Sequence, residues 1–267
     1  MILARVLSIF IIIIILNTTF KWYTVSMWTE NLQHKNRTIP EAHNGYKGIP
    51  IYAGYNLHQK SFEVFTKYVP DKSARILILG AGSGAFDQRL IDNGYNNLLA
   101  VEYHKDLYIP KSEVISLDLN KDFDNLGKFD AIVAMELIEH LENHFHFLRQ
   151  LKSVLNHDGT VLITTPNVES KISRIKFFLR GDLSYFTKKE VTDTGHINPL
   201  FKYIFETHLN AMGMELKQHT FAAKLWNKNQ FIGLKQKLSM CLFRGLSLLM
   251  IGDTGGQLSI LIVQNKK

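Results

Sequence analysis

Residues 76–84 read Ile-Leu-Ile-Leu-Gly-Ala-Gly-Ser-Gly, and Glu102 closes the next apolar run, residues 98–101. A buried strand that breaks into a glycine turn, with an acid roughly 20 residues on, is the arrangement of a nucleotide-binding βαβ unit. Its chemistry is recognition. Glycine lets the backbone approach a ligand without a Cβ in the way, and a carboxylate can accept hydrogen bonds from two ribose hydroxyls. These residues point to an adenosine-containing cofactor. The glycines alone leave its identity open. Gly80-x-Gly82-x-x-Ala85 fits the looser dinucleotide pattern. Gly80-x-Gly82-x-Gly84 fits the tighter turn of S-adenosylmethionine (SAM) enzymes equally well.

A second group carries different chemistry. Glu136, Glu139 and His140 stand at i, i+3 and i+4, a spacing that shares one face of a helix. With His196 they make a set of carboxylates and imidazoles that suits a hard divalent ion. The plainer reading is preferred here: Glu136 at a cofactor edge and Glu139 an exposed helix acid. His144 and His146 read as surface residues. No Cys and His cluster has zinc-site spacing, and the lone Cys241 allows no internal disulfide.

The elements that must position these residues alternate. A helical spacing covers 55–69 and ends at Pro70-Asp71. Strands are expected at 75–79, 98–102, 114–117, 129–134 and 160–164. Helices are expected at 85–93 and, from the recurrence of Leu137, Leu141, Phe145, Leu148, Leu151 and Leu155, at 137–155. Asp158-Gly159 reads as a turn into the fifth strand. Such alternation predicts an α/β fold, a mostly parallel sheet with helices on both faces. Ligands of such sheets bind at the carboxyl ends of strands, where Gly80, Glu102, Asp118, Glu136 and residues 165–167 all fall. Two more strands, 214–219 and 258–264, flank an apolar-basic insertion at 221–251. No helical crossover evidently returns the second of them in parallel.

Composition is globular, with 46% apolar residues, and 267 residues suffice for one sizeable domain. The net charge of +7 is uneven. Residues 202–267 carry nine Lys/Arg against three acids, a bias that favours an anionic partner or a merely soluble face. The apolar run within residues 1–16 sits between the lengths of a signal core and a spanning helix. Residues 1–29 are read as a hydrophobic segment forming a short membrane anchor. The basic residues after it place the remainder on the cytosolic side.

With these stretches in order, the chain resembles the class I SAM-dependent methyltransferases. It is most similar to the Glu-x-x-Glu-His branch, which includes ubiquinone-biosynthesis O-methyltransferases, small-RNA 2′-O-methyltransferases and glycan or lipid methyltransferases. The resemblance rests on ILILGAGSG (76–84), AVEY (100–103), SLDL (116–119), FDAIVAMELIEHLEN (129–143), LNHDGTVLITTPN (155–167) and GHINPLFKYIFETHLNAMGMEL (195–216). It implies a Rossmann-like seven-stranded sheet with a final antiparallel strand, and a methyltransferase domain over 45–267 with a lid at 168–200. It implies that Gly80, Ala81, Gly82 and Gly84 line the methionine and ribose portion of SAM. Glu102 would take the ribose hydroxyls, Asp118 the adenine amino group and Leu119 the ring, with Met135 and Glu136 bordering the cofactor. One departure stands out: Ile78 replaces an acid usual in the family, near the cofactor's amino-acid end.

A hydroxyl acceptor must lose a proton, and histidine is the common base. The resemblance places His140 at the cofactor edge and His196, in Gly-His-Ile-Asn, in the stretch that returns over the site. The segment 174–186 interleaves basic and aromatic residues and is read as acceptor recognition, against a helix whose Phe177 and Phe178 are core. The resulting expectation is a SAM-dependent O-methyltransferase acting on a small, lipid-like or glycan acceptor at the cytosolic membrane face, touching the membrane through 1–29 and 221–251. A divalent metal is the less favoured addition, and nucleic acid is not the expected partner. The alternatives are an RNA 2′-O-methyltransferase, an NAD(P)-binding oxidoreductase and an inactive binding protein of the same fold.

Overall fold

A computed structural model describes residues 45–110, 112–223, 245, 250–251 and 255–267. The expected segment 1–29 and most of the 221–251 insertion lie outside these. A short hairpin, β1 (Gly45–Tyr46) and β2 (Ile49–Pro50), precedes helix α1 (Leu57–Tyr68). Then follow β3 (Ile76–Leu79), α2 (Ala85–Asp92), β4 (Leu98–Val101), β5 (Val114–Ile115) and β6 (Phe129–Met135). Helix α3 (His144–Val154) leads to β7 (Leu155–Pro166), then α4 (Lys171–Arg180), α5 (Lys188–Asp193) and α6 (Lys202–Ala211). Strands β8 (Met214–Ala222) and β9 (Leu258–Asn265) close the chain.

The large sheet has the order β5-β4-β3-β6-β7-β9-β8. Strands β3 to β7 pair in parallel, and β9 runs antiparallel to both β7 and β8. The chain thus winds outward one way from β3 and the other way from β6, so the switch point lies between them, where such sheets bind ligands. The expected Rossmann-like, seven-stranded sheet with its final antiparallel strand is the observed one.

Period-two alternation divides the strand residues between two cores. Leu77, Leu79, Ile132, Ala134, Val161 and Ile163 pack with Phe147, Leu148, Leu151 of α3 and Phe205, Leu209 of α6. Ile76, Ile78, Ala131, Val133 and Leu162 pack on the other face with Leu57, Val64, Phe65 of α1 and Phe86, Leu90 of α2. Each Leu, Ile, Val or Phe among them contributes about 1.5–3 kcal/mol by leaving water, and the central strands are buried on both faces. This rigid sheet presents its carboxyl-end loops in one row.

Two elements differ from expectation. The helix does not begin at Leu137. The chain makes a 3₁₀ turn at Ile138–His140, and α3 starts only after Asn143, whose side chain accepts from the backbone N–H of Phe145 (3.1 Å) and His146 (3.0 Å), an N-cap. Strand β7 starts at Leu155, five residues early. Asp158-Gly159 is carried within it, with a register irregularity opposite Phe129 and Ala131.

Candidate active site

The glycine turn follows β3 directly. Gly80, Gly82 and Gly84 have φ of +67°, +56° and +80°, a region that side chains with a Cβ enter at a cost. A Cβ on Gly82 would meet no atom within 4 Å, so this face of the turn is open. On Gly84 it would lie 2.8 Å from Tyr108 Cε2, so the turn is packed at that residue. Gly80 is closed off by Leu137. Ala81 sits beside the turn in the α1/α2 core.

Glu102 stands at the end of β4, next to β3. Its Oε2 accepts from the Gly82 N–H at 2.7 Å and its Oε1 from the His104 N–H at 3.0 Å. The carboxylate is therefore held against the open glycine face. Asp118 follows β5. Its Oδ1 accepts from the Asn120 N–H at 3.0 Å, and Lys121 stands 3.8 Å from Oδ2. Leu119 beside it is buried. Gly80, Ala81, Gly82, Gly84, Glu102, Asp118, Leu119, Met135 and Glu136 all fall at the carboxyl ends of four neighbouring strands, β5, β4, β3 and β6. The open face at Gly82 beside the Glu102 carboxylate fits the ribose and methionine part of SAM.

Ile78 is buried between Ala100 and Val133 on the neighbouring strands. An acid there would sit in an apolar cluster. A different carboxylate lies nearby: Asp87, in the first turn of α2 and fully buried. Burial raises its pKa to about 7, partly offset by the hydrogen bond from Tyr108.

At the end of β6 the backbone is strained. Glu136 has φ +47°, uncommon for any residue but glycine and characteristic of functional sites. Its N–H donates to the Thr164 carbonyl (3.1 Å) and hydroxyl (3.0 Å), and that hydroxyl donates to Glu136 Oε1 at 3.0 Å. The turn ends the strand and sends the chain into 138–140, so Glu136, Glu139 and His140 do not share a helical face. Glu139 is not an exposed acid either: it is fully buried, and neither carboxylate oxygen makes a regular hydrogen bond. Burial raises its pKa well above the usual carboxylate range, and the neighbouring Glu136 charge raises it further. Glu136 is raised by burial in the same way, against the Thr164 hydroxyl.

The stretch 195–198 is stapled to this turn. The N–H groups of Ile197 and Asn198 both donate to the Glu139 carbonyl at 3.0 Å, and Asn198 Nδ2 donates to the Leu141 carbonyl at 3.0 Å. The staple brings His196 against His140, with ring centroids 4.7 Å apart. His140 Nδ1 lies 3.1 Å from the Gly195 carbonyl, and His196 Nδ1 lies 2.9 Å from the Tyr185 carbonyl. A carbonyl only accepts, so each Nδ1 carries the proton and each Nε2 keeps its lone pair. Burial lowers the pKa of both rings, and His196 lowers that of His140 further. Ligand atoms of Glu139, His140 and His196 lie within 4.8 Å of one another.

Other expectations are corrected. His144 is buried, because α3 turns it inward, and His146 is half-buried with Nε2 3.5 Å from Asp122. Phe177 and Phe178 are not core: they are 57% and 80% exposed, on the outward face of α4. Sequence reasoning passed over Asp87, Tyr108 and Tyr185. The last has φ +68°, and its hydroxyl donates to Gln257 at 3.3 Å. Among the described residues no helix is long and apolar enough to cross a membrane.

Against this geometry, the family model for the methyltransferase domain matches residues 55–219. The chain belongs to the methyltransferase-domain family. Its sheet order and final antiparallel strand are those of the class I SAM-dependent methyltransferases, and the oxidoreductase reading falls away. A ubiquinone biosynthesis O-methyltransferase from Pelagibacter ubique is 26% identical over 119 residues, 40% of this chain and 48% of that one. A tRNA U34 carboxymethyltransferase from Histophilus somni is 24% identical over 158 residues, 54% of this chain and 49% of that one. The chain thus spans about half the length of these curated relatives. Among solved structures, a SAM-dependent methyltransferase from Archaeoglobus fulgidus superposes with a TM-score of 0.51 at 16% identity, over 78% of this chain and 94% of that one. The plantazolicin methyltransferase BpumL, in complex with a triazolic desmethylPZN analog and SAH, gives 0.50 at 16% identity, over 78% and 83%. At such identity these show the shared fold of the methyltransferase.

Proposed function

We propose that this methyltransferase moves the methyl group of SAM to a hydroxyl of a small acceptor, lipid-like or glycan in character. The observation that carries the reading is the pair of imidazoles that both donate Nδ1–H to main-chain carbonyls, leaving two Nε2 lone pairs beside the buried carboxylate of Glu139. When bound, SAM supplies a methyl group already activated on a sulfonium. What remains for the protein is positioning, worth about 7–11 kcal/mol in favourable cases, and removal of the acceptor proton.

The roles divide by strand. Gly80, Ala81, Gly82 and Gly84 offer backbone to the methionine and ribose portion, and Glu102 offers its carboxylate to the ribose hydroxyls. Asp118 and Leu119 meet the adenine, and Met135 and Glu136 border the cofactor. His140 takes the acceptor proton at Nε2, with His196 beside it and the Glu139 carboxyl group close to the imidazolium that results. Glu139, His140 and His196 also fit a divalent cation, which would supply positive charge that lowers the pKa of the acceptor hydroxyl. A buried carboxylate whose partners are the Thr165 side chain and its own backbone, next to two oriented imidazoles, is a donor set such an ion could take, with the Gly195 and Tyr185 carbonyls orienting the rings. Each Nε2 has a single lone pair, so such a cation and the acceptor proton are alternative occupants, and proton transfer to His140 is the form taken here. The lipid-like acceptor is supported by the apolar run at 1–16 and the basic second half of the chain.

The test is transfer of a tritiated methyl group from SAM to membrane and small-molecule extracts. Wild type is expected to label an extractable product. Glu139→Gln is expected to lose the labelling while folding as stably as wild type or more so at neutral pH, since it removes a buried charge. Chelation followed by re-addition of magnesium or manganese reads the metal. Undiminished labelling by both Glu139→Gln and His140→Asn would overturn the assignment.

A further inference from the structure

The loop after β4 is tied to the glycine turn at its packed Gly84 end, two residues on from the open position at Gly82. Three fastenings do this. The Tyr108 hydroxyl donates to Asp87 Oδ2 at 2.8 Å. The Ile109 N–H donates to the Ser83 carbonyl at 3.1 Å. Tyr108 and Pro110 fill the space that a Cβ on Gly84 would need. The Ser112 hydroxyl adds a bond to the Tyr108 hydroxyl at 2.6 Å. At its other end the same loop begins at Glu102, which accepts from the Gly82 N–H at 2.7 Å. Glu102 thus holds the turn at Gly82 and Tyr108 holds it at Gly84.

Beyond these the Ser116 hydroxyl donates to the Tyr103 carbonyl at 3.0 Å, and little apolar surface holds the loop. Residues 103–107 and Ile109 are exposed, and its one regular element is the short 3₁₀ turn Lys105–Leu107. A segment with so little apolar burial owes its order to its polar fastenings. Asp87 in turn is fully buried, and its Oδ1 has no partner apart from its own backbone. A buried carboxylate is costly where an apolar residue would pack, and in α2 its one specific contact is Tyr108. A buried polar group of this kind calls for a role.

We propose that Tyr108 and Asp87 are positioning residues for the cofactor: they fasten residues 103–110 as a strap against the glycine turn and so hold Glu102 in register with Gly82. The proposal rests on the placing of SAM at the open face of that turn. Fastening the strap before the ligand arrives removes an ordering cost from binding. Tyr108→Phe keeps the ring on Gly84 and deletes only the hydroxyl. Asp87→Ala deletes the acceptor, and Asp87→Asn keeps an oxygen that the tyrosine can donate to.

Calorimetric titration with SAM and with S-adenosylhomocysteine reads the effect without any knowledge of the acceptor. Tyr108→Phe and Asp87→Ala are expected to raise Kd for both ligands about tenfold, the range of a lost hydrogen bond to a charged group, with Asp87→Asn within about twofold of wild type. A general structural defect would not be rescued by asparagine. Gly82→Asp serves as the control for the site itself and is expected to abolish binding. If Gly82→Asp binds as wild type, the cofactor placing is wrong. If Gly82→Asp abolishes binding while Tyr108→Phe and Asp87→Ala bind as wild type, the strap is wrong. Equal loss in Asp87→Asn and Asp87→Ala also overturns it. Should Tyr108→Phe not fold, the Asp87 pair decides alone.

Discussion

At the scale of single residues, the site turns on protonation. His140 and His196 act as bases only when neutral. Burial lowers both below the ordinary 6.5, so both rings are neutral at pH 7. The rate of methyl transfer is therefore expected to be level near neutrality and to fall on acidification, with the midpoint of the acid limb below 6.5. A midpoint above 7 would contradict the assignment. His140→Asn is expected to cut the rate by about 10²–10⁴-fold, the usual contribution of a general base, with the Kd of SAM unchanged. Single-turnover rates and a parallel binding titration check both halves. Glu139 shows what a residue-level reading of sequence misses. Its spacing from His140 is plain in the sequence. Its burial is not, because that comes from the 138–140 turn and from residues 195–198 closing over it.

At the scale of elements, the strands and the glycine turn were legible because their signals are local: apolar runs of strand length that end in glycine or an acid. The start of α3 was not. Leu137 and Leu141 continue the 3–4 spacing of the true helix, so periodicity alone runs past the N-cap at Asn143. The start of β7 was hidden by the Asp158-Gly159 turn signal. There tertiary pairing wins, since Asn265 of β9 donates its side-chain amide to the carbonyls of Asn156 (3.3 Å) and His157 (2.8 Å). Asp87 reads as an ordinary helix acid, and only the strap that covers it reveals its burial. Two predictions belong to this scale. Asn198→Ala removes the side-chain part of the staple that seats His196 against His140 and leaves its two main-chain bonds to Glu139. It is expected to lower the rate while SAM affinity holds, and a fall in affinity with the rate intact would count against the staple. Gly84→Ala combines φ +80° with a clash against Tyr108 and Pro110. It is expected to destabilise by about 2–4 kcal/mol, from strain and overpacking together, seen as a lowered Tm.

For the molecule as a whole, the site's cost appears in stability. Asp87 has a folded-state pKa of about 7 against an ordinary 3.8. Between these values the folded state binds more protons than the unfolded chain, so stability falls as pH rises through this window and levels off above about 7. The full effect is about 4 kcal/mol at most. Glu136 and Glu139 act in the same direction. Asp87→Asn removes its own share, so its Tm is expected to gain on wild type between pH 5 and pH 8. A constant difference across that range would show that Asp87 does not titrate there. Asp87 beyond β3, and Glu136 and Glu139 beyond β6, thus set carboxyl groups with raised pKa values at the carboxyl edge of an otherwise apolar core. A cationic cofactor, and a cation at Glu139, would each relieve part of that cost.

The most direct measurement is calorimetric titration of the protein with SAM and S-adenosylhomocysteine, in wild type and in Gly82→Asp. Binding of both ligands by wild type, lost in the variant, is the expected result and fixes the cofactor at the open face of the glycine turn. Absence of binding to folded wild type, or equal binding by the variant, would contradict the account.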